Sequence, residues 1–178
     1  MKFVLAIFIV PILGTSSIAM SDAVAICILE CMVRTSDKTI DAIKGFEGFR
    51  SVAYQDSVGV WTVGFGHTEG VQEGRTITEP DADALLRAEL VHYENAVDHY
   101  VTTPLTQNEY DALVSLAYNI GVENFRKSSV VRFLNLGHKR RAADAFLLWC
   151  KGKIKGELVV LPGLKNRRVA ERELFLTA

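Results

Sequence analysis

A change of hydrophobic period near the start of the chain constrains what it can fold into. Just before it, Ile40, Ile43 and Phe46 recur at the spacing of one helix face, with Ser36 or Thr39 able to cap, Glu47 in the last turn and Gly48 as the stop. Over residues 52–68 the period shortens: Val58, Val60 and Thr62 alternate, and Gly59, Gly64 and Gly66 mark tight turns, the pattern of short strands. Beyond Ile77 helical patterns return. Thr78 and Pro80 open a helix carrying Ala82, Leu85, Leu86, Leu90, Tyr93 and Val97. Thr106 with Glu109 opens another, through Tyr110, Leu113, Val114, Ala117 and Tyr118 to a stop at Gly121. Further helices are expected over residues 128–135, 139–149 and 166–176, with a strand-like insert over 151–160. The fold class that follows is α+β, a small β-lobe joined to a mainly helical lobe. The cleft between two such lobes is a natural place for a polymer chain.

The chain's 178 residues suffice for one well-buried domain and an N-terminal segment, divided here as residues 1–34 and 35–178. Twenty Lys and Arg stand against 21 Asp and Glu, so no basic field points to nucleic acid and no polybasic run to anionic lipid. No cysteine–histidine cluster completes a metal site, and neither metal nor cofactor is expected.

Residues 3–20 carry no charge and follow Lys2, the order of an export segment. Ser17 and Ala19 fit the positions three and one before a cut after Ala19. The segment would also serve as an anchor, since 18 helical residues reach roughly 27 Å, close to the bilayer core. A cleaved signal, a releasing anchor and a permanent anchor all place the domain outside the cytoplasm. Cys27 and Cys31 share one helical face and are poorly placed to pair with each other; either is free to pair with Cys150 or a second chain, or all three are inert thiols.

The chemistry concentrates in residues 45–67. Glu47 lies between Phe46 and Phe49, an apolar setting that suits a carboxylic acid asked to hold its proton. Asp56 lies between Gln55 and Ser57, a polar setting that suits a carboxylate, and Thr62 offers a hydroxyl six residues on. Two carboxyl groups so differentiated are what acid-assisted cleavage of a glycosidic bond needs. Glu, eight residues, Asp, five residues, Thr, then Gly64-Phe65-Gly66-His67, resembles the signature of the phage-type lysozymes, glycoside hydrolase family 24.

That resemblance, which covers roughly residues 39–176, implies a lysozyme-like fold and a muramidase that cleaves the β-1,4 bond between N-acetylmuramic acid and N-acetylglucosamine in peptidoglycan. Glu47 is the implied general acid, with Asp56 and Thr62 holding a water on the opposite face, so inversion is expected. His67 is implied to be a structural partner of a carboxylate. The run 115–121 with Phe125 and Ser128 resembles the helix and turn lining the family's sugar cleft, making Tyr118 and Ser128 candidate substrate contacts. Trp149 and the run 161–168 with Glu171 resemble the C-terminal motif, in which an arginine approaches the acid. Arg167 fits that place best, with Arg168 next; the alternative is a solvated helix start pairing with Glu171 or Glu173. Several phage-type lysozymes also use a weakly hydrophobic anchor that later leaves the bilayer. Some relatives carry a regulatory cysteine at the Asp56 position, a device this chain lacks.

The expected setting is the bacterial periplasm, reached by export, with the enzyme a monomer tethered to the inner membrane before release or cleavage. A phage or prophage endolysin is the first reading. A bacterial autolysin would carry the same residues. A lytic transglycosylase would need the acid but not Asp56 and Thr62, and a tethered wall-binding protein without activity would not need Glu47.

Overall fold

The computed structural model describes residues 33–56, 59–154 and 156–177. The expected export segment, the expected cut after Ala19, Cys27 and Cys31 lie outside them. Residues 35–178 form one compact unit.

The first helix, α1 (Asp37–Glu47), is capped by Ser36, whose hydroxyl accepts from Thr39 N–H, and ends at Gly48, whose φ of 72° reverses the chain. Its entry is fixed from outside. The Asp111 carboxylate accepts from Ser36 N–H at 3.0 Å and the Ser36 hydroxyl at 2.5 Å, while Glu94 accepts from both Thr35 N–H and its hydroxyl at 2.9 and 2.8 Å. Buried Ile40 and Ile43 then seat α1 on the core, so that its last residue, Glu47, has a defined position.

Strands β1 (Arg50–Gln55) and β2 (Trp61–Gly64) follow as an antiparallel pair, with Tyr54 opposite Thr62 and Gln55 opposite Trp61. Two strands alone are marginal. Isolated bridges from Val52 to Thr76 and from Val63 to His67 extend the lobe, and Phe49 packs on Phe65 with ring centres 5.5 Å apart.

The helical lobe begins with α2 (Glu79–Tyr100), capped by Thr78 with Pro80 in its first turn. Next, α3 (Gln107–Ile120) opens with the reciprocal Thr106–Glu109 capping box and stops at Gly121. Ala112, Leu113, Val114, Leu116 and Ala117 are all fully buried, so α3 is covered on every side and forms the centre of the core. Around it lie α4 (Val122–Lys127), α5 (Ser129–Asn135) and α6 (Lys139–Phe146), then a tight turn, Leu147–Trp149. The insert expected over 151–160 is a hairpin, β3 (Lys151–Ile154) with β4 (Glu157–Val160), and α7 (Pro162–Leu176) packs along α3.

Three details differ from the sequence reading. The short α4 was not expected. The helix foreseen to 149 leaves α geometry after Phe146, and α7 starts at Pro162 rather than at Asn166, because proline fits a first helical turn that needs no N–H. No helix among the described residues is long and apolar enough to cross a membrane.

Candidate active site

Gly48 ends α1 one residue after Glu47, which leaves that side chain at a helix end and partly open, 24% exposed. It lines a cavity of about 720 Å³ together with Gly66, Thr68, Glu69, Glu89, His92, Tyr93, Tyr118 and Asn119. The two carboxyl oxygens of Glu47 differ. Oε1 accepts from Arg167 Nη1 at 2.6 Å. Oε2 lies toward Gly66, where a Cβ would stand 3.8 Å from it and 3.6 Å from the Tyr118 hydroxyl. Gly66 has φ of 102°, so its backbone is what calls for glycine here, while a side chain would meet the acid only at ordinary contact distance.

Arg167 is 3% exposed and uses all three of its nitrogens: Nη1 on Glu47, Nε on Glu171 Oε1 at 3.1 Å and Nη2 on the Ser115 carbonyl at 3.2 Å. The Phe46 ring lies 4.9 Å from the guanidinium carbon. The expected approach of Arg167 to the acid and its alternative pairing with Glu171 thus occur together, in a buried site rather than at a solvated helix start. Arg168 is fully buried and bonds Glu171 Oε1 at 2.8 Å, to which the Ser115 hydroxyl also donates at 2.7 Å. Burial pushes the Glu171 carboxyl above its usual range, against the opposing pull of Arg168, Arg167 and the Ser115 hydroxyl. Burial likewise lowers the Arg168 guanidinium from its ordinary value.

Tyr118 donates its hydroxyl to the Phe65 carbonyl at 2.9 Å, joining α3 to the β-lobe turn beside Glu47. Burial, then the Glu47 and Glu89 carboxylates, push its phenol well above the usual range, so it remains a donor. His67, also expected here, places Nδ1 2.5 Å from Glu89 Oε1 and exchanges backbone hydrogen bonds with Val63. It ties the β-lobe to α2.

Asp56 and Thr62 meet at Val60 in the β1–β2 turn. The Asp56 carboxylate accepts from Val60 N–H at 2.8 Å, and the Thr62 hydroxyl donates to the Val60 carbonyl at 3.1 Å. Thr62 is 4% exposed and neither residue lines the cavity beside Glu47; what the two share is Val60. Ser128 is placed differently from its expected contact with sugar: it is 3% exposed, and its hydroxyl accepts from Val131 N–H as the cap of α5. Cys150 is half-buried at the base of the β3–β4 hairpin.

Sequence reasoning missed Thr68, Glu69, Glu89 and His92 as cavity residues. Only Glu89 and His92, three apart on α2, left a helical signal. Among the described residues no group of three or more His, Cys, Asp or Glu is arranged to hold a metal ion.

The sequence model of the Phage lysozyme family matches residues 44–171, which include every residue of this arrangement. The endolysin of Salmonella phage P22 is 44% identical over 151 residues, 82% of this chain and 100% of that protein. The SAR-endolysin of Enterobacteria phage P21 is 36% identical over 133 residues, 74% of this chain and 78% of that protein. Among solved structures, the muramidase domain of SpmX from Asticaccaulis excentricus superposes with a TM-score of 0.78 at 45% identity, covering 82% of this chain and 99% of that one. On these grounds the chain belongs to the phage lysozyme family.

Proposed function

We propose that this chain is a phage endolysin, a muramidase that hydrolyses the β-1,4 bond between N-acetylmuramic acid and N-acetylglucosamine of bacterial peptidoglycan. The observation that carries the reading is the asymmetry of Glu47. With Oε1 occupied by a buried guanidinium, a proton on this carboxyl belongs on Oε2, the oxygen beside Gly66 and the cavity.

In this mechanism Glu47 Oε2 gives its proton to the glycosidic oxygen as the bond to the anomeric carbon breaks, and the leaving sugar departs as an alcohol. Asp56, with Thr62 as its expected partner, holds a water on the opposite face. The water oxygen bonds to the anomeric carbon and its proton passes to Asp56, giving inversion. Exchange with solvent restores both carboxyl groups. Tyr118, Asn119 and His92 offer the cavity's polar contacts to sugar, and Arg167 acts on substrate only through Glu47.

The same reading places the enzyme in the periplasm, acting as a monomer. Residues 3–20 supply the export segment, and the similarity to an SAR-endolysin supports membrane association before activity. Mass spectrometry of the products tests the chemistry. New reducing muramic acid ends are expected. Anhydro ends would make the protein a lytic transglycosylase, and intact glycan would leave only wall binding.

A further inference from the structure

Among the described residues, the hydrogen bonds and the ring contact that hold Arg167, apart from the bond to the acid itself, come from three residues: Glu171 one turn along α7, Ser115 on α3 and Phe46, whose ring faces the guanidinium. A planar fork held at Nε and Nη2 cannot turn without breaking both bonds, so the direction of Nη1, and with it the place of Glu47 Oε1, is set by Glu171 and by the Ser115 backbone. Glu171 is itself oriented from a second element. Its Oε1 accepts from the Ser115 hydroxyl at 2.7 Å and Arg168 Nη2 at 2.8 Å besides Arg167 Nε at 3.1 Å.

We infer that Glu171 and the Ser115 hydroxyl are positioning residues for the reaction, acting on Glu47 through Arg167. The inference rests on the reading of Glu47 as proton donor. Stability alone does not call for this arrangement: an i, i+4 ion pair on a surface contributes little, and a buried one can often be replaced by well-packed apolar side chains without loss. What the buried pair supplies and an apolar pair does not is a fixed guanidinium behind Glu47, bonded to its Oε1. The four charges Glu47, Glu171, Arg167 and Arg168 also balance. Losing the Glu171 charge leaves two guanidinium groups against Glu47 alone, which draws Arg167 out of its place between two carboxylates.

The test is a double-mutant cycle on the full chain, read as kcat and KM on soluble uncrosslinked glycan strands. Glu171→Gln, which keeps size and shape, should lower kcat roughly tenfold and leave KM within about twofold, since misplacing a reacting group acts on the chemical step. In an Arg167→Met background, which has already lost the connection, the same substitution should change kcat by less than about twofold. If the two effects instead multiply, or if Glu171→Gln retains full kcat, Glu171 is structural only and the inference is overturned. Ser115→Ala serves should Glu171→Gln fail to fold. It deletes one hydroxyl bond, and its smaller loss of kcat should likewise vanish without Arg167. Glu47→Gln separates the two readings. Full activity there refutes the proton donor itself, whereas an inactive Glu47→Gln with multiplying Glu171 and Arg167 effects overturns only the positioning.

Discussion

Replacing Arg167 with methionine keeps the aliphatic stem and removes the guanidinium from between Glu47 and Glu171. Breaking a buried ion pair by deleting one partner ordinarily costs about 3–5 kcal/mol, because the other charge stays buried and unpaired. Here the cost is lower for two structural reasons. Glu47 is 24% exposed and recovers water, and Glu171 retains Arg168 at 2.8 Å and the Ser115 hydroxyl at 2.7 Å. The lost contact of the guanidinium with the Phe46 ring, on the order of 0.5–1 kcal/mol, adds back a little. The expected loss is about 2–3 kcal/mol, which for a domain of this size lowers Tm by roughly 5–10 °C. Urea unfolding followed by the fluorescence of Trp61 and Trp149 measures it. A loss below about 0.5 kcal/mol, the size of a surface change, would refute the claim that Arg167 is the buried centre of this network.

Three other outcomes follow from the same contacts. The Asp83 carboxyl is held below its ordinary range first by Lys44, then by Arg87, and so fastens α1 to α2. A depressed folded value stabilises above the unfolded one and is lost as pH falls through the folded one, so Asp83→Asn should lower Tm at pH 7 and converge with the parent at a pH well below the ordinary carboxylate range. An equal deficit at both pH values would contradict it. Ser128→Ala should cost about 1 kcal/mol as a lost helix cap and leave KM unchanged; a raised KM would return Ser128 to the substrate. Gly66→Ala should lower both Tm and activity, since its φ of 102° strains any side chain and the turn it would distort carries the backbone beside Glu47 Oε2. Parental kcat with a raised Tm would count against the cavity as the site of reaction.

Local features of this fold were legible in the sequence, and distant ones only through family likeness. Thr78, Thr106 with Glu109, and Gly121 act within a few residues of themselves, so the boundaries of α2 and α3 could be read directly. For α1 both Ser36 and Thr39 were chemically able to cap; tertiary contacts from Asp111 to Ser36 decide it. The six residues of α4 have one fully buried apolar anchor, Phe125, too little for periodicity to register. The bond from Arg167 to Glu47 spans 120 residues and that from Ser115 to Glu171 spans 56, and no local pattern encodes either. The cap formed by Ser128 is likewise local, set by its place before Ser129-Val130-Val131.

The most direct measurement is the rate at which Glu47→Gln, in the otherwise unchanged chain, releases reducing ends from purified peptidoglycan, with Tm recorded beside it. With Glu47 as the general acid, a fall of about 10²–10⁴, the usual contribution of such a group, is expected in a protein that still unfolds cooperatively. A folded Glu47→Gln protein working within about tenfold of the parent would contradict that role, because an amide is far too weak an acid to transfer a proton to the leaving oxygen.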